Sequence, residues 1–127
     1  YQYSTLVYPQ IAADYVDVNG ATQKARDMDV RERLVFLGKC HDSMAGAGSM
    51  CSGAISRVEG SVLHKVLAPS VTQTEWLRIG HPLGVMHVKV KPRAHAAQPQ
   101  LQFETLSFPR TARRLMQGEV LVPNDFA

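Results

Sequence analysis

Hydrophobic and polar positions change their period twice along this chain. From Ser4 to Tyr8 short apolar residues run together and read as a strand closed by Pro9. Asp17-Val18-Asn19-Gly20 carries the Asn-Gly signature of a tight turn or hairpin. From Asp27 to Leu37 the apolar residues Val30, Leu34 and Leu37 fall at i, i+4 and i+7. That spacing predicts a helix capped by Asp27 and ended by Gly38. A second helix follows. Ala47, Cys51, Ala54, Ile55 and Val58 share one face at helical spacing, Asp42 or Ser43 is the expected N-cap, and Gly60 is the expected stop. Lys39 to Ser43 therefore falls in a short connection between two helices, where functional groups tend to sit.

Beyond Gly60 the period shortens towards two. Residues 61–67 fit either a strand or a helical turn and end before Pro69. Trp76 to Ile79 alternates, and Val85, Val88 and Val90 alternate with His87, Lys89 and Lys91. The two runs predict a hairpin around the loop Gly80-His81-Pro82-Leu83-Gly84. Residues 92–100 read as a loop, Leu101 to Leu106 as another strand, and Glu119 to Val122 as a final strand ended by Pro123. The class is α+β, with two early helices followed by a mainly antiparallel sheet wrapped around the small-residue helix.

Length and composition narrow the function classes. With 127 residues the chain forms one domain with a real core, and 45% hydrophobic against 20% charged residues indicates a globular protein. No apolar run approaches the ~20 residues of a membrane-spanning helix. A net charge of +3 is a mild excess, and the aromatics are not interleaved with basic residues, so nucleic acid is not an expected partner. Arg110, Arg113 and Arg114 form the nearest approach to a basic cluster and read as a solvated face. Cys40 and Cys51 lack CxxC partners and the histidines are dispersed. Free thiols in a reducing, cytoplasmic setting and no metal site are expected. The chain begins with Tyr1, which fits a piece of a longer polypeptide.

The chemistry concentrates around Ala45-Gly46-Ala47-Gly48-Ser49. A helix begun through small residues leaves its first N–H groups accessible, and these donors with the positive end of the helix dipole suit an anion. The alternative is a core helix whose small residues admit a close neighbour.

Three stretches, LGKCHDSMAGAGSMCSGA, RIGHPLGVMHVKV and FPRTARRLMQGEVLVP, resemble in order and spacing the C-terminal half of the PrpF family. That family comprises methylaconitate isomerases, methylitaconate Δ-isomerases and oxalomesaconate tautomerases of the diaminopimelate-epimerase-like fold. The resemblance runs over nearly all of residues 8 to 123, and RTARRLMQGEV with its downstream Val-Pro is its most specific part. It implies a cofactor-free proton transfer that shifts a double bond in an unsaturated di- or tricarboxylate. It also implies a single domain over residues 1–127 equivalent to the C-terminal domain, with the N-terminal domain and its principal acid/base groups absent. The missing domain or a homodimer partner would complete the cleft.

By the same resemblance Lys39, His41, Ser43, Gly46, Gly48 and Ser49 form the substrate-side motif, with His81 and Gly84 in its loop. Where the family usually has HPSG this chain has HPLG, so Leu83 replaces a hydroxyl that could donate to a carboxylate. Cys40 is the one candidate for a catalytic thiol, set against a packed or cleft-edge role, and Cys51 is expected in the core. The alternative function is a non-catalytic carboxylate-binding or interaction module.

Overall fold

The computed structural model describes residues 5–93 and 102–122. A mixed sheet is built from β1 (Leu6–Ile11), β4 (Val30–Phe36), β6 (Trp76–His81), β7 (Gly84–Pro92) and β8 (Phe103–Ser107), neighbours in that order. Between β1 and β4 lies a small hairpin of β2 (Tyr15–Val16) and β3 (Thr22–Gln23). Adjacent strands of the main sheet are antiparallel except β4 and β6, which run parallel through Val30–Ile79 and Arg31–Gly80. A short strand β5 (Lys39–Cys40) folds back on the far end of β4. Two helices, α1 (Gly46–Ile55) and α2 (Val62–Val66), complete the fold. Among the described residues no helix is long and apolar enough to cross a membrane.

The segment expected as the first helix is strand β4, and the reason is Glu32. Val30, Glu32 and Leu34 all point into the core at 1% exposure or less, so the strand does alternate, but a carboxylate occupies one of its inward positions. Reading Glu32 as polar and outward erases the period of two and leaves Val30, Leu34 and Leu37 to suggest a helix. Leu37 and Gly38, both at positive φ, turn β4 into β5. Lys39 and Cys40 thus lie in a hairpin rather than between two helices. Other expectations also shift. Pro9 sits within edge strand β1 rather than ending it, and Glu119 to Val122 form no strand; of the two readings open for residues 61–67, residues 62–66 take the helical one. Leu101 and the loop from residue 94 onward lie outside the described residues. The Asp17–Gly20 turn and the β6–β7 hairpin form where expected.

Helix α1 packs on β7 and β8 with Ser49, Ser52, Gly53 and Ser56 turned inward. This is the reverse of the predicted face, since Ala47, Cys51 and Ile55 are exposed. Cys51 is therefore a surface thiol rather than a core residue. Close approach explains the inversion. A Cβ on Gly53 would meet Val88 Cγ1 at 2.8 Å and Val90 Cγ2 at 3.0 Å. At that separation the sheet admits only small side chains, and the buried hydroxyls are satisfied locally. Ser49 donates to the Gly46 carbonyl at 2.8 Å, Ser56 to that of Gly53 at 2.6 Å, and Ser52 to Glu32 Oε2 at 2.8 Å. Opposite this face the apolar core is Val30, Leu34, Leu77, Ile79, Val88 and Val90. Asp29 ties the start of β4 to β6, accepting from the Arg78 guanidinium at 2.7 Å and from its backbone N–H at 2.8 Å.

Glu32 keeps one oxygen, Oε1, with no partner among the described residues. Burial pushes its carboxyl up from 4.5 to about 7, against the smaller opposing effect of the Ser52 hydroxyl. The folded chain thus binds a proton that the unfolded chain has released across that window. Stability from this group is complete below 4.5 and lost as pH rises through about 7. The loss amounts to about 3 kcal/mol. Urea denaturation across this range should show that decline, and Glu32→Gln should flatten it; an unchanged slope would contradict the assignment. Gly53→Ala should destabilise by about 1–3 kcal/mol through overpacking, despite the better helix propensity of alanine. A stabilised Gly53→Ala protein would refute the close contact.

Candidate functional site

The first turn of α1 lacks a side-chain cap. Ala45, not Asp42 or Ser43, is the N-cap residue, in extended conformation and with no side-chain hydrogen bond to offer. The Ser49 amide donates to the Ala45 carbonyl at 2.9 Å and begins the helical ladder. The amides of Gly46, Ala47 and Gly48 precede it and, by helix geometry, have no intrahelical acceptor. The first turn carries no acidic residue, so the positive end of the dipole is not neutralised from within the helix.

This turn borders an open, polar cavity of about 440 Å³, walled by Ser43, Gly46, Met86, Phe108, Arg110 and Thr111 among others. The chain after β8 closes it. Phe108 lies over Gly46 so closely that a Cβ there would overlap its ring. Glycine at this position lets the aromatic ring seat and brings Arg110 and Thr111 to the helix N-terminus. The cavity thus combines backbone donors, two hydroxyls and a guanidinium, a donor set suited to a carboxylate. Sequence reasoning placed Arg110 on a solvated face; it is exposed but borders the cavity. Only the Phe-Pro-Arg-Thr order signalled it, and nothing local in that order says where the segment returns.

The eight substrate-side candidates divide into groups. Ser43 and Gly46 line the cavity, whereas Gly48, in the same first turn, is not among its wall residues. Ser49 is fully buried with its hydroxyl bonded to the Gly46 carbonyl, so its side chain supports the turn from behind. His41 is exposed, and its Nδ1 faces both the Ser43 amide at 3.1 Å and the Ser43 carbonyl at 2.9 Å. A neutral ring with Nδ1 unprotonated accepts from the amide, and a ring protonated there donates to the carbonyl. In either state it shapes the turn that leads to Ser43. Lys39 is exposed on β5 and outside the cavity wall. Cys40 is exposed beside it, with Sγ 3.7 Å from the His41 carbonyl.

His81 and Gly84 form the ends of the β6–β7 turn. Nδ1 of His81 accepts from the Leu83 amide at 3.2 Å, and burial, then the Arg33 charge, holds the imidazole below its usual range. The ring is thus neutral and engaged in the turn. The Tyr15 hydroxyl, a single donor, lies 2.7 Å from both the His81 and Gly84 carbonyls. The Val18 amide donates to the Pro82 carbonyl at 2.9 Å, fastening the small hairpin to this loop. Leu83 is half exposed at its tip. Neither His81 nor Gly84 lines the cavity, but Met86, two residues into β7 from Gly84, does. Among the described residues no three His, Cys, Asp or Glu side chains gather into a metal-binding group.

Comparison with known proteins gives this arrangement a context. A family profile described as PrpF protein matches residues 4–123. The chain is 34% identical over 121 residues to the 3-methylitaconate isomerase of Eubacterium barkeri, covering 91% of this chain and 30% of that protein. It is 31% identical to the 2-methyl-aconitate isomerase of Cupriavidus necator, covering 90% of this chain and 28% of that protein. A crystal structure of methylitaconate-delta-isomerase superposes with a TM-score of 0.75 at 31% identity, over 92% of this chain and 29% of that one. The chain therefore spans about 30% of the length of the curated relatives it matches. The profile match, extending from before β1 to the end of the described tail, shows that this chain belongs to the PrpF family.

Proposed function

We propose that this chain supplies the carboxylate-binding half of the active site of an isomerase acting on an unsaturated di- or tricarboxylate. The observation that carries this reading is the uncapped first turn of α1 opening into a cavity with Ser43 and Arg110 on its wall. The names of the relatives, isomerases of methylitaconate and 2-methyl-aconitate, are of the same substrate class. In the proposed reaction a base removes a proton allylic to a carboxylate and an acid returns one elsewhere on the same skeleton, without a cofactor. The amides of Gly46, Ala47 and Gly48, with Arg110, hold a carboxylate and stabilise the charge that spreads onto it when the proton leaves.

Among the described residues that wall the cavity there is no carboxylate, thiol, imidazole or amine. On this reading acid and base come from an N-terminal domain or a partner copy facing the cavity. Lys39, Cys40 and His41 are exposed around β5, just before Ser43, and on this reading they meet that partner. Alone, the chain binds and does not turn over. A wall whose described residues hold no acid or base also suits a second reading, a non-catalytic carboxylate-binding module; detectable turnover after addition of the complementary domain separates the two.

Isothermal titration with trans-aconitate tests the site. Binding in the millimolar range is expected, with Arg110→Ala weakening it about tenfold through loss of a charge-assisted bond. Ala47→Asp places a carboxylate on the exposed side of the first turn. It should abolish binding while leaving thermal stability equal or higher, because an acidic residue suits a helix N-terminus. Unchanged affinity in both variants would refute the assignment of the site.

A further inference from the structure

The inverted face of α1 leaves an apolar groove on the molecule. Its walls are Val7 and Pro9 of β1, Cys51 and Ile55 of α1, and Val62 and Leu63 of α2, enclosing about 360 Å³. This cavity shares no wall residue with the one at the helix N-terminus. At its floor lie Glu32 and Ser52, both buried. Ser52 serves Oε2 of the carboxyl, and Oε1 is buried with no hydrogen-bond partner among the described residues. A buried carboxylate oxygen with nothing to accept from costs free energy that one donor recovers. Ile55 and Val62, 46% and 69% exposed, present hydrocarbon beside the opening, so the walls suit an aliphatic body. The complementary molecule has an aliphatic body to cover these side chains and a donor-bearing end, with no acceptor, to reach Glu32.

We propose that this groove is a binding site for an alkylammonium group, its aliphatic stem between β1, α1 and α2 and its N–H donors on Glu32 Oε1. Cation and carboxylate then form a charge-assisted pair. A stem of about four to six carbons matches a pocket at the small end of the ligand-site range. The same chemistry is available from a free primary amine and from a lysyl side chain. The lysyl source has an added feature to use, because β1 is an edge strand of the sheet and an extended peptide can pair along it.

Titration of the ¹⁵N-labelled chain with n-hexylamine, 1-hexanol and hexanoate at one pH near 7.5, followed by amide chemical shifts, reads this directly. The amine should perturb the amides of Glu32, Ser52 and Ile55 saturably with a Kd on the order of 1 mM. The alcohol should bind at least tenfold more weakly and hexanoate not at all. Glu32→Gln, which retains the shape, should weaken amine binding at least tenfold. Ile55→Trp, which fills the groove from its exposed side, should block it without touching Glu32. A second arm uses a blocked tripeptide, Val-Lys-Val. If it binds more tightly than hexylamine and also shifts β1 amides, the source is a lysyl side chain on a strand. If hexylamine binds more tightly, it is a free amine. Equal binding of amine, alcohol and acid, undiminished binding to both variants, or no saturable shift with any probe overturns the proposal. Failure here leaves the trans-aconitate site standing, since the two cavities have no wall residue in common.

Discussion

The contact between the serine and glycine face of α1 and the inner face of β7 and β8 governs the rest of the structure. Because Gly53 rests against Val88 and Val90, the helix axis lies close to the sheet and only small side chains fit between them. Each inward hydroxyl must then find an acceptor without water, and each does so on its own helix or on Glu32. Two consequences reach the surface. At the N-terminal end, the small residues that permit the contact also leave the first turn without a side-chain cap, and Gly46 gives Phe108 its seat beside the cavity. Along the outer side, the apolar residues that an ordinary amphipathic helix would bury face a groove instead.

That inversion explains where the sequence could and could not be read. The helix itself, its small-residue start and its offer of free amides were legible from Ala45 to Ser49, because they depend on local geometry alone. The orientation of the helix was not. Hydrophobic periodicity assumes that the apolar face is the buried one, and here the depth of the contact selects for size instead of polarity. Strand β4 failed for a related reason. One buried carboxylate at Glu32 breaks the alternation that Val30 and Leu34 otherwise keep. Strands without a buried charge, such as β6 and β7, were legible, and so was the turn at Asp17, whose side chain accepts from the Asn19 and Ala21 amides.

The candidate site shows the same division. Ser43 and Gly46 sit next to the helix start in sequence and were recognisable there. Arg110 reaches the same cavity only because Phe108, more than sixty residues later, packs across Gly46. Such a return is a tertiary event with no local signature. Conversely, His41 and His81 carry the residue type expected of a ligand, yet each is engaged in a turn of its own. Their contribution is to hold the backbone that presents Ser43 and the β6–β7 loop.

The proposed anion site consists of the backbone amides in the first turn of α1. The most direct measurement is the response of individual amide resonances to trans-aconitate in the ¹⁵N-labelled chain. Saturable downfield shifts are expected at Gly46, Ala47 and Gly48, accompanied by the Arg110 side chain, with the amide of Ser49 held by the Ala45 carbonyl and little affected. Shifts that saturate elsewhere while these three amides stay in place would contradict it.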